Sequence, residues 1–107
     1  LDAVRIDNPY PESEWKRILS QIVMKHDEPD QTIYLQVTRG VAPRDHAFPS
    51  QTTPTVFMMS SPLKVTSEDT FNKGIHAITL DDIRWLHCNV KAISLLPNVL
   101  LRLTAIA

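Results

Sequence analysis

The stretch VTRGVAPRDHAFP, Val37 to Pro49, carries two arginines, a histidine and two prolines. Proline fixes its own φ and biases the residue before it toward extended backbone. With Pro43 just before it, Arg44-Asp45-His46 is expected to run extended, and positions two apart in an extended chain point the same way. Arg44 and His46 then reach toward one point, with Asp45 turned aside. A guanidinium offers a two-pronged donor suited to a carboxylate, and a histidine adds a further donor. The chemistry on offer is a carboxylate trap. The same spacing also serves a solvated loop with a surface arginine, which is the commoner use of such residues. Arg39, directly after an alternating stretch, is expected to enter a structural ion pair.

A second constellation is DDIRWLHCNVKAISLL, Asp81 to Leu96. Lys91 stands there among Val90, Ala92, Ile93 and Leu95. A lysine in apolar surroundings loses hydration, and its amine becomes a usable nucleophile. Such an amine can form a Schiff base with an aldehyde such as pyridoxal phosphate. The competing use is a lysine whose stem lies on apolar surface while its head reaches water. His26, His76 and His87 have no metal-ligand spacing with each other or with Cys88, so no metal site is expected. Cys88, Trp15 and Trp85 read as packing residues. Met58 and Met59 are consecutive, so only one of them can face a given side of a strand.

These residues need elements to hold them. Trp15, Ile18, Leu19, Ile22 and Val23 follow the stripe of an amphipathic helix. Pro11 suits its first position, Glu12 and Glu14 its positive end, and Lys25 and His26 its negative end. The segment QTIYLQVTR alternates, with Ile33, Leu35 and Val37 on one side and Tyr34, Gln36 and Thr38 on the other, as in a half-buried strand. A second strand is expected in TPTVFMMSS, between Pro54 and Pro62. The polar stretch SPLKVTSEDTFNKG reads as a connection between domains. A further strand is expected from Ile75 to about Leu80, and a helix after Pro97. The set is α+β, with three or four strands that need partners, so exposed strand edges or a dimer interface are expected.

The whole is 107 residues long, 43% apolar and 21% charged, with a formal net charge of -1. That balance gives no general attraction to nucleic acid or to an acidic membrane surface. No apolar stretch approaches the ~20 residues of a membrane span, and no secretory signal is visible. A single cysteine, Cys88, permits no internal disulfide and suits a reducing cytoplasm. Only Gly40 and Gly74 are glycines. A glycine-rich phosphate cradle is therefore expected outside this chain or not at all. The chain starts at Leu1 rather than a methionine, and further sequence is expected beyond it.

Together, IYLQVTRGVAPRDHAFP and DDIRWLHCNVKAISLLPNVL resemble the D-amino acid aminotransferases, within the class IV pyridoxal-phosphate-dependent aminotransferases. The resemblance runs from about Ile6 to Leu100. It implies that Lys91 matches the lysine that holds the cofactor covalently and moves the proton at the substrate Cα. Arg44 and His46 match the element that grips the substrate carboxylate, reaching across a homodimer into the neighbouring subunit's site. Tyr34 matches a tyrosine lining that trap, and Arg84 an arginine in a hydrogen-bonded network near the cofactor. The implied fold is partial and class IV aminotransferase-like. Residues 1–62 form part of a small N-terminal α/β domain, 63–73 a linker, and 74–107 the start of a larger cofactor-binding domain. The implied substrates are a D-amino acid, such as D-alanine or D-glutamate, and a 2-oxo acid. The family's phosphate-binding arginine and the acid that pairs with the pyridine nitrogen belong to segments this chain lacks. Pro97 stands where a small residue is usual, and LRLTAIA after Leu100 departs from the pattern. The alternatives are aminodeoxychorismate lyase or branched-chain aminotransferase activity within the same family, or a fragment without catalysis.

Overall fold

The computed structural model describes residues 1–106. It divides into two compact units, Leu1–Val65 and a second from Thr66 onward. Both helices and strands are present, and the class is α+β.

In the first unit a short 3₁₀ turn, Asp2–Val4, precedes helix α1, Glu12–Val23. Pro11 is the residue before the helix rather than its first member, and its carbonyl accepts from the N–H groups of Glu14 and Trp15. Trp15, Ile18, Leu19 and Ile22 are half-buried at helical spacing, and α1 packs on the sheet. Trp15 is further fixed by its indole N–H, which donates to Asn8 at 2.9 Å, and by an edge-on contact with Tyr10. The helix stops at Val23. Lys25 and His26 lie beyond it, and their N–H groups satisfy the carbonyls of Ile22 and Val23.

Strands β1, Gln31–Thr38, and β2, Thr55–Pro62, pair antiparallel from Gln31 opposite Pro62 to Thr38 opposite Thr55. Ile33, Leu35 and Val37 stand opposite Ser60, Met58 and Val56 on one face. Tyr34 and Gln36 stand opposite Met59 and Phe57 on the other. Two strands form the whole sheet among the described residues, against an expectation of three or four. The segment Ile75 to Leu80 is not a strand, because its alternation finds no neighbouring strand to complete a ladder; Ile75 is 86% exposed.

The connection after β2 is not wholly irregular. It contains helix α2, Glu68–Lys73. Ser67 caps it by accepting from the Thr70 N–H, Lys73 bridges back to Asp69, and Gly74 ends it at φ 72°. Helix α3, Leu96–Ile106, follows the expected start near Pro97. It is largely apolar, with Asn98 and Arg102 four residues apart on one face, and Leu96, Val99 and Leu103 are exposed. Among the described residues no side chain is fully buried. Among the described residues no helix is long and apolar enough to cross a membrane.

Candidate functional site

The connection from residue 39 to 54 leaves β1 at Thr38 and returns to β2 at Thr55, directly opposite. It carries Arg44 and His46. A loop of this length with closed ends and no secondary structure of its own is the usual place for binding residues on a rigid hairpin.

Its base is held by Gly40, whose φ of 113° lies in the left-handed region. A Cβ there would collide with the Thr53 carbonyl oxygen, so close backbone approach as well as conformation calls for glycine. Arg39 does not form the expected ion pair. Its guanidinium donates to the carbonyls of Arg5 at 2.7 Å and Val4 at 2.5 Å, and lies 3.9 Å over the ring of Phe48. A planar cation can satisfy carbonyls with its edge and cover an aromatic with its face, which removes the need for a carboxylate partner.

Arg44 and His46 are both exposed, and the backbone bends at each of them. The expected extended run does not form here. The Asp45 carboxylate instead accepts from the His46 N–H at 2.6 Å, which tightens the chain locally. Tyr34, in β1, is exposed and lies four residues before the strand ends, roughly 13 Å along it. Its hydroxyl donates to Gln36 Oε1 at 2.9 Å, and its ring meets Phe57 edge-on at 6.1 Å. No hydrogen bond joins Tyr34 to Arg44 or His46.

In the second unit, Arg84 forks onto Asp82: its Nε donates to Oδ1 at 2.9 Å and its Nη2 to Oδ2 at 2.7 Å, while its backbone N–H also donates to Oδ1. The guanidinium bonds and then the backbone N–H bond hold the Asp82 carboxyl down to about 2 from its ordinary 3.8. In turn Asp82 pushes the Arg84 guanidinium further toward its charged form. The stabilisation from this pair is therefore complete above pH 3.8 and is lost as pH falls through about 2, where the carboxylate itself is protonated. Following the Asp82 side-chain carbon by NMR should give a midpoint near 2. A midpoint at the ordinary carboxylate value would mean that the fork is not made in solution.

From Trp85 the chain makes a short turn, in which the Cys88 N–H donates to Trp85 and the Val90 N–H to His87. The turn delivers Lys91 to the wall of an open hollow of about 270 Å³ that Arg84, Trp85, Cys88 and Asn98 also line. Lys91 and Arg84 are thus brought to one hollow. The expected desolvation of Lys91 is not present: the residue is exposed, and Ala92, Ile93 and Leu95 beside it are exposed as well. Apolar neighbours in sequence remove water only where they close over a side chain, and here they do not. A larger hollow of about 580 Å³ lies at the base of the 39–54 connection, lined by Val41, Gln51, Thr52, Thr53 and Thr55. None of those five ionises near neutral pH, and no base on the lining stands ready to activate a threonine hydroxyl. Among the described residues, no three His, Cys, Asp or Glu side chains gather as a metal site would need.

Comparison with known proteins covers the chain from end to end. The family described as amino-transferase class IV matches residues 1–107, so the likeness extends beyond the expected limits of Ile6 and Leu100. A D-alanine aminotransferase of Bacillus licheniformis is 39% identical over 99 residues, 92% of this chain and 35% of that protein. D-alanine aminotransferases of Staphylococcus haemolyticus, 36% identical over 97 residues, and Staphylococcus epidermidis, 33% identical over 99, cover 91% and 92% of the chain. The chain spans about a third of the length of these curated relatives.

Proposed function

The chain belongs to the class IV aminotransferase family, and from that premise we propose that it is the middle portion of a pyridoxal-phosphate-dependent enzyme that exchanges an amino group between a D-amino acid and a 2-oxo acid, D-alanine and 2-oxoglutarate being the pair to test first. The observation that carries this reading is Lys91 on the wall of a hollow that it shares with Arg84. Residues 1–62 are read as part of the small domain, 63–73 as linker and 74–107 as the opening of the large domain. The exposure of large apolar side chains, such as Leu86 at 97% and Phe71 at 81%, supports a segment whose core is completed by further chain.

Pyridoxal phosphate asks for an amine at its aldehyde, donors at its phosphate and an acid at its ring nitrogen. Lys91 is the one lysine on the hollow, and Arg84, also on its wall, is already forked onto Asp82. The residues present fit the aldehyde end of the group; the phosphate donors and the acid are assigned to the remainder of the protein. When bound, the cofactor supplies an electron sink that eases loss of the proton from the substrate Cα. Lys91 Nζ would hold the cofactor and, freed by the incoming substrate amine, would move that proton between the substrate Cα and the cofactor carbon. Asp82 keeps Arg84 oriented and charged beside it. Arg44 and His46 clamp the substrate carboxylate, in a homodimer whose two sites share these loops, and Tyr34 lines the same clamp. Fixing the carboxylate decides which face of Cα is turned to Lys91, so the clamp governs stereochemistry as well as affinity.

Substrate preference tests this reading directly. The full-length protein should turn over D-alanine with 2-oxoglutarate faster than L-leucine with the same acceptor, and leave aminodeoxychorismate unconsumed. Preference for L-leucine would assign branched-chain chemistry, and consumption of aminodeoxychorismate a lyase. No turnover of any of the three by a correctly folded protein would point to a non-catalytic role.

A further inference from the structure

We propose that Arg39 is a positioning residue that sets the carboxylate-binding loop by tying Phe48 to the N-terminal turn. The inference rests on the reading of Arg44 and His46 as the carboxylate clamp.

Arg39 is the first residue after β1. Its side chain reaches back more than thirty residues in sequence, to the carbonyls of Val4 and Arg5. Those carbonyls are presented by the end of the 3₁₀ turn Asp2–Val4, where Arg5 takes up a left-handed conformation at φ 50°. Left-handed backbone is costly for a residue with a Cβ. The Arg5 N–H bond to Asp2 and the Arg39 bond to the Arg5 carbonyl both hold that conformation.

The other face of the same guanidinium covers Phe48 at 3.9 Å. Phe48 is two residues after His46 and four after Arg44. The loop is pinned at its base where Gly40 meets Thr53, but between there and Phe48 no long-range hydrogen bond holds it. Among the described residues, the seat of Phe48 on Arg39 is thus a long-range anchor near the clamp residues. Arg44 and His46 themselves are exposed and are not held by partners of their own, apart from the Asp45 bond to the His46 amide. A clamp made of two unsupported side chains needs its backbone placed, because a displacement of about 1 Å can cost on the order of 100-fold. Arg39 provides the placement without touching substrate.

Three variants of the full-length protein separate this role from simpler ones. Arg39→Ala removes both contacts, Phe48→Leu removes the stacked ring without changing charge, and Arg39→Lys keeps charge but loses the planar face and the second prong. The quantities read are amide hydrogen exchange across residues 41–50, KM and kcat for both the amino acid and the 2-oxo acid, cofactor absorbance and melting temperature. Arg39→Ala should speed exchange in that segment about tenfold and raise KM for both acids about tenfold, and Phe48→Leu should change both about two- to fivefold, with kcat and cofactor absorbance little changed. Arg39→Lys should fall between wild type and Arg39→Ala. Unchanged exchange in both Arg39→Ala and Phe48→Leu overturns the inference, as does a lowered melting temperature with KM unaffected, which is the mark of a purely structural residue. Arg44→Ala serves as the reference. If it raises KM and Arg39→Ala does not, the positioning role falls while the clamp stands; if Arg44→Ala leaves KM unchanged, the clamp reading falls and the positioning role with it.

Discussion

Replacing Lys91 by alanine in the full-length protein should lower kcat by roughly 10²- to 10⁴-fold, the range a placed proton-transfer group supplies, and should abolish covalent capture of the cofactor. Two separate tasks are lost together. Nζ is the amine on the hollow of the second unit, and Arg84, the other cation there, is engaged with Asp82 and is not a nucleophile at ordinary pH. Treating the wild type with pyridoxal phosphate and borohydride should attach the reduced cofactor at Lys91, as read by peptide mass, and Lys91→Ala should show no label at any position. Lys91→Arg keeps the positive charge but has no amine to condense with an aldehyde, so it should behave as the alanine variant does. That comparison separates covalent chemistry from charge. Label appearing at another lysine, or a Lys91→Ala enzyme within a fewfold of wild type, would remove the residue from the mechanism.

Local pattern was legible where the partner of an element is near in sequence. The stripe from Trp15 to Val23 and the alternation from Ile33 to Thr38 appear as α1 and β1, because helix, strand and returning strand pack on one another within one unit. The alternation from Ile75 to Leu80 is of the same kind but has no adjacent strand, and strand patterns state a need for a partner without supplying it. Helix α2 was readable in principle. Ser67 ahead of Glu68 and Asp69, with Lys73 and Gly74 behind, is a full set of cap and dipole signals, but the polarity of the stretch made it read as loop. The site divides the same way. Residue types around Arg44, His46 and Lys91 suggested a chemistry, whereas their geometry depended on backbone bends and on how far neighbours close over them. Neither follows from spacing. Arg39 is the clearest case: its partners are two carbonyls and a ring, none of which a charge pattern can reveal.

Arg44→Ala should raise KM for the amino acid and for the 2-oxo acid by roughly ten- to a hundredfold, with a smaller fall in kcat. A charge-assisted hydrogen bond is worth about 1.5–3 kcal/mol, and each 1.4 kcal/mol is about tenfold in binding. The two substrates share only their α-carboxylate, so a parallel loss for both locates the effect at that group. Arg44→Lys should recover part of the binding, since a point charge attracts the carboxylate but does not match its two oxygens. His46→Ala should raise KM less, having one donor to lose. A primary amine with no carboxylate is the decisive control. Whatever slow rate the wild type shows with it should be unaltered by Arg44→Ala, because the clamp has nothing to hold. The variant should also discriminate less between D- and L-alanine. With Lys91 on one side of Cα and the carboxylate no longer fixed, either face can be offered to the base, and the energy that separated the two enantiomers shrinks with the anchor that imposed it. An Arg44→Ala enzyme that keeps its KM values and its enantiomer ratio would take Arg44 out of substrate binding and return it to the solvated loop in which it stands exposed.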